Sequence, residues 1–168
     1  MLKVPPNFAG LFFDSIMSNE LTEKIQTLIT PFIEQIHGFL VEIVIRGEHQ
    51  SKIIEIYVDT DEGITTEQCA TISRNLSQQL DETPIIQGNY RIIVSSPDLE
   101  RPLKLYRQYQ KNIGRFLKIT FMDEQKTSTI EGTLEKIEQE ELSIQTKTKK
   151  HLIPREKIKE AYVIPQFK

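Results

Sequence analysis

The chain has a single cysteine, Cys69, in 168 residues, which excludes an internal disulfide framework and fits a reducing cytosol. Tryptophan is absent, so aromatic anchoring falls to eight phenylalanines and five tyrosines. The three histidines, His37, His49 and His151, are scattered without metal-ligand spacing. No apolar run approaches the roughly 18 residues that a membrane span needs. Leu11-Phe12-Phe13 is followed at once by Asp14 and preceded by Lys3 alone, which argues against a secretory signal. There is no Gly-x-Ser-x-Gly elbow, no phosphate loop and no pair of histidine ligands. Nothing in the residues looks catalytic, and no cofactor, metal, membrane or small-molecule substrate is expected.

What is present is most informative at Tyr90-Arg-Ile-Ile-Val-Ser-Ser-Pro-Asp-Leu-Glu-Arg-Pro-Leu103. Ile92, Ile93 and Val94 read as a buried strand that ends at two hydroxyls and a proline. Pro97 has no N–H to give a ladder, and Pro102 restricts Arg101 to extended or turn geometry. The stretch predicts a stiff, directional joint between two folded parts. Charge changes across it. Residues 1–97 carry a net −7 and residues 98–168 a net +4, within a total of −3. Such asymmetry suggests a basic protein partner for one half and a phosphate backbone for the other, although ordinary soluble surfaces explain it as well.

With 38% apolar residues the chain can build one or two small cores. Residues 1–17 lack periodicity and contain Pro5-Pro6. They are expected to be a poorly ordered extension, with Met17 as an alternative natural start. Ser18 or Asn19 then reads as a helix cap, and Leu21, Ile25, Leu28, Ile29, Phe32, Ile33 and Ile36 form one helical face ending at Gly38. Pro31 inside that pattern predicts either a kink or the start of a second short helix. Strands are expected at 39–45 and 53–58 with a polar hairpin loop between them. Thr65 and Gln68 fit a capping box before a helix that buries Cys69, Ile72, Leu76 and Leu80. With the strand at 90–95 this makes an α-β-β-α-β unit with its helices on one sheet face.

After Pro102, residues 103–112 read as a short helix or turn. Five short alternating segments follow at 116–121, 129–138, 141–146, 151–153 and 160–164, and they predict a small β-barrel. Pro154–Lys157 fits a 3₁₀ turn before the last strand. The expected organisation is therefore α+β: an extension at 1–17, an α/β domain at 18–97, a joint and short helix at 98–112, and a barrel domain at 113–168.

Few residues stand out chemically. Asp59, Asp61 and Glu62 crowd one turn, but calcium-loop spacing is missing and Asp-Glu-Gly is an ordinary turn former. Cys69 reads as a buried small hydrophobe rather than a reactive thiol. Ser95 and Ser96 can tie off a strand end by local hydrogen bonds. Lys147, Lys149 and Lys150, beside His151, form the densest basic run. They are either a solvated hairpin tip or a candidate RNA phosphate contact.

Taken together, Ile56-Tyr-Val-Asp59, Gly63-Ile-Thr, Cys69, Ile72-Ser-Arg74, Leu76-Ser77, Leu80-Asp81, Tyr90, Val94-Ser-Ser-Pro97, Leu99, Arg101-Pro-Leu103, Gly114 and Ala161-Tyr-Val-Ile-Pro-Gln-Phe167 resemble the ribosome maturation factor RimP family, in order from about residue 18 to the end. The resemblance implies an α/β N-terminal domain and a C-terminal five-stranded Sm-like, SH3-type small β-barrel. It implies a cytoplasmic, non-enzymatic factor binding the immature small ribosomal subunit, near a basic ribosomal protein and the adjoining ribosomal RNA. A stand-alone RNA-binding module acting through the Sm-like barrel is the competing reading. The family-marked partner surface would be Asp59, Ser95, Ser96, Pro97 and Arg101, with Asp59 and Pro97 also explicable as structural. One departure stands out: the family usually has glycine after Ser-Ser-Pro, and Asp98 here would bear some cost if the backbone there is left-handed.

Overall fold

The computed structural model describes residues 8–48, 51–124, 126–138 and 140–166. Residues 1–7 of the expected extension, the first hairpin tip with His49, and Phe167 lie outside them. Among the described residues the chain is mixed α+β, with three α-helices and two sheets, and it divides into two units, Met1–Ser96 and Pro97–Lys168.

The first unit begins with α1, Phe8–Glu34. This corrects the expected start at Ser18 or Asn19: the helix is already formed ten residues earlier and runs unbroken through Pro31. Pro31 removes the bond that would reach the Thr27 carbonyl. Beside it, Thr27 Oγ1 and Thr30 Oγ1 donate back to the carbonyls of Glu23 (2.9 Å) and Gln26 (2.7 Å). The helix closes in a Schellman arrangement. Gly38 N–H reaches Ile33 O at 3.0 Å, His37 N–H reaches Glu34 O at 2.9 Å, and His37 itself takes the left-handed conformation at φ 54°. Gly38 is needed for a different reason. A Cβ there would stand 3.1 Å from Asp59 O and 3.2 Å from Ile33 O.

β1 (Phe39–Glu48) and β2 (Ser51–Asp59) pair antiparallel, with a bulge between Leu40 and Glu42. Both strands run further into the hairpin than the polar loop of the sequence suggested. α2 (Thr66–Glu82) starts at the expected capping box: Gln68 N–H donates to Thr65 Oγ1 (3.2 Å), and Thr65 N–H to Gln68 Oε1 (2.9 Å). β3 (Asn89–Ser95) then pairs parallel to β2, giving the order β1-β2-β3. Ile54, Ile56 and Val58 share one core with Ile25, Ile29 and Ile33 of α1 and Ile72, Leu76 and Leu80 of α2, so both helix stripes are buried against one sheet face.

The second unit opens with α3, Tyr106–Lys111, whose first turn is tied by Gln108 Oε1 accepting from Lys104 N–H (2.8 Å) and Leu105 N–H (2.9 Å). Five strands follow: β4 (Phe116–Asp123), β5 (Lys126–Glu138), β6 (Glu141–Gln145), β7 (Lys150–Pro154) and β8 (Ile158–Val163). The expected 3₁₀ turn, Arg155–Lys157, sits between the last two. Their order is β7-β6-β5-β4-β8. The sheet is not closed into the barrel that the sequence suggested, because β7 and β8 stay at opposite edges with no ladder between them. The Ala161 carbonyl of β8 is taken instead by the Leu103 N–H at 2.7 Å. Leu117, Ile119, Leu134, Leu142, Ile144 and Ile153 form this unit's own core, joined by Tyr109.

Candidate partner-binding site

Asp59 ends β2 and Ser95 ends β3, and the two strands are parallel with Tyr57 opposite Ser95. Their C-terminal ends, with Ser96 just beyond, therefore lie at the same end of the sheet. Asp59 is buried, 7% exposed, and its Oδ1 accepts the Thr60 N–H at 2.9 Å. Gly63 N–H closes the turn on Thr60 O at 3.2 Å, with Gly63 at φ 99°. The carboxylate thus bears on the first step of the Asp59–Gly63 turn. Among the described residues no group of His, Cys, Asp and Glu has the arrangement of a metal site.

Cys69 stands on α2 at this same end of the sheet, close enough for the Ser96 backbone to bear on its sulfur. Burial pushes the thiol pKa up, with backbone hydrogen bonding from Cys69 and Ser96 opposing it. The thiol is half-buried and not fully enclosed as expected. A raised pKa keeps it protonated and a poor nucleophile at neutral pH.

Pro97 and Arg101 belong to the second unit. Arg101 N–H donates to Asp98 O at 3.2 Å, closing a turn, and the Arg101 side chain is half-buried. Asp98 is not among the residues with positive φ, so the strain anticipated for aspartate in place of glycine is absent.

The basic run divides. Thr146 and Lys149 build the β6–β7 turn, with Thr146 N–H to Lys149 O (2.9 Å), Thr146 Oγ1 to the same oxygen (2.7 Å) and Lys149 N–H back to Thr146 Oγ1 (3.2 Å). Lys147 and Lys149 are exposed at this tip. Lys150 is engaged: its Nζ lies 2.7 Å from Glu135 Oε2, which also accepts from Ser143 Oγ at 3.4 Å. Glu135 is the extra residue where the β5–β6 register shifts between Leu134 and Lys136, and such a bulge re-aims a side chain. The Lys150 hydrogen bond holds the Glu135 carboxyl below its ordinary pKa. Sequence reasoning missed Glu135, since a bulge leaves no mark in residue alternation.

The fold and this site define a class of protein: a mixed α+β chain in two units, with an acidic α-β-β-α-β portion and an exposed basic turn in the five-stranded portion. Residues 28–100 match the family model described as the RimP N-terminal domain, and that match supports the RimP family for this chain. That is a family of ribosome maturation factors, generally non-enzymatic, and the match suggests such a role here. Among the described residues no helix is long and apolar enough to cross a membrane.

Proposed function

We propose that this protein is a cytoplasmic, non-enzymatic assembly factor that binds the immature small ribosomal subunit and leaves when maturation is complete. The match of residues 28–100 to the RimP N-terminal domain carries the reading. Charge supports it. The acidic first unit favours a basic ribosomal protein, and like-signed repulsion keeps it from phosphate. In the second unit, the exposure of Lys147 and Lys149 supports phosphate contact with adjoining ribosomal RNA. Lys150 is the weaker candidate because it must first leave Glu135. We assign the five-stranded unit to the Sm-like, SH3-type class on its strand order and the 3₁₀ turn before the last strand. Partner contact is assigned to Ser95 and Ser96 at the end of β3 in the first unit and, separately, to Pro97 and Arg101 at the start of the second, with Asp59 acting by shaping the turn at the end of β2. Domains at 18–97 and 113–168, joined by 98–112, are the working division.

The test is co-sedimentation of the full chain with immature and mature small subunits across graded salt. Retention on immature particles that falls as salt rises supports the reading; indifference to both particles ends it. Arg101→Ala should leave melting almost unchanged and weaken the association. If it unfolds the protein, Arg101 is structural. The exposed basic tip favours a second reading, a stand-alone RNA-binding module. In that case Lys147→Gln with Lys149→Gln weakens binding and lowers the salt slope by about two, while acidic residues of the first unit contribute nothing.

A further inference from the structure

Between α1 and α2, on the helical side of the first unit, lies a groove of about 230 Å³. Its floor is apolar: Ile72 is buried, and Phe32 and Ile36 are half-buried. Its rim is polar, with Gln35 and Glu67 exposed and Asn75 half-buried. None of these three side chains has a hydrogen-bond or ion-pair partner among the described residues, so their acceptor capacity is unspent. We propose that this groove receives the side chain of a lysine or arginine from a basic protein segment, its aliphatic stem on the floor and its cationic head at Glu67.

Chemistry selects that occupant. A purely apolar side chain would cover the floor and leave the exposed Glu67 carboxylate without a counter-charge. A phosphate would meet a carboxylate inside a unit whose residues 1–96 carry a net −7. Long basic side chains combine an apolar stem with a polar tip, and so match a floor and rim of this composition. The rim already handles one guanidinium of the chain itself: Arg74 NH2 donates to Thr71 Oγ1 at 3.2 Å, at the groove's edge. The identity of the basic segment as ribosomal rests on the proposed function; the groove's preference for a cationic side chain does not.

The experiment is a titration of the full ¹⁵N-labelled chain with acetyl-Gly-Arg-Gly-Arg-Gly-amide and with its citrulline counterpart, which keeps the shape and drops the charge. Expected are shifts concentrated at Gln35, Ile36, Thr71 and Asn75 for the arginine peptide, with the citrulline peptide binding several-fold more weakly. Glu67→Gln should weaken the arginine peptide about two- to five-fold, as for an exposed ion pair. Equal binding of both peptides, shifts centred on the Asp59–Gly63 turn, or no effect of Glu67→Gln would each overturn the proposal. Thr71→Trp, at an exposed position, plugs the groove and is read by co-sedimentation. Loss of immature-subunit binding supports a ribosomal occupant, and full retention overturns that assignment. Should the unaltered chain ignore ribosomal particles while the peptide still maps to the groove, the functional reading fails and the groove stands.

Discussion

Leu76→Ala is the substitution whose outcome is best constrained. Leu76 is fully buried, 0% exposed, on the face of α2 that packs with Ile25 and Ile29 of α1 and Ile54 and Ile56 of β2. Truncation removes three carbons where helices and a sheet converge, so no single element can shift to refill the space. The transfer loss and the cavity left behind together cost about 2–5 kcal/mol. A small domain holds only about 5–15 kcal/mol in total, so the first unit should lose a large share of its stability. Urea unfolding followed by far-ultraviolet circular dichroism, with hydrogen exchange resolved by residue, measures this. Protection should fall across Ile25–Leu80 first. Gln78→Ala, on the exposed side of the same helix, should stay within about 0.5 kcal/mol of the parent. A Leu76→Ala cost below about 1 kcal/mol, or one equal to the Gln78 control, refutes the core assignment.

Other outcomes follow from the same geometry. Thr65→Ala breaks the capping box and should cost about 0.5–2 kcal/mol, with Thr65→Ser recovering most of it in thermal melts. Gly132→Ala in β5 puts a Cβ 2.5 Å from Gln145 O and 2.8 Å from Ile144 Cγ2. It should destabilise by about 1–3 kcal/mol or more and disturb the β5–β6 ladder in amide exchange, whereas a neutral result would mean β6 yields freely. Tyr109 ionises only at about 12 because burial opposes its phenolate, against 10.0 for a free tyrosine. The unfolded chain therefore loses that proton first, so the contribution is complete below pH 10 and disappears as pH rises from 10 to 12. A spectrophotometric titration near 295 nm should show a tyrosine ionising only near pH 12. Tyr109→Phe should remove it, along with the hydrogen bond to Leu103 O at 3.1 Å.

The sequence by itself determined the elements whose signals are local. The Thr65–Gln68 box, the Ile72, Leu76 and Leu80 stripe, and the alternation of Ile54, Ile56 and Val58 all depend on neighbours within a turn or two, and each lies where periodicity put it. Signals that depend on the absence of a pattern served less well. Residues 8–17 show no clean helical face, yet α1 begins at Phe8, because a helix continues from a formed end at far lower cost than it nucleates. Only the tertiary structure decided the pairings between distant segments. Parallel pairing of β2 with β3 sets Asp59, Ser95 and Ser96 at one sheet end, and that pairing spans some forty residues of chain. The open edge of the second sheet and the capture of Lys150 by Glu135 are likewise matters of register and bulge. Hydrophobic alternation fixes which face a residue takes, but it carries no information about which strand, across a long connection, will lie beside it.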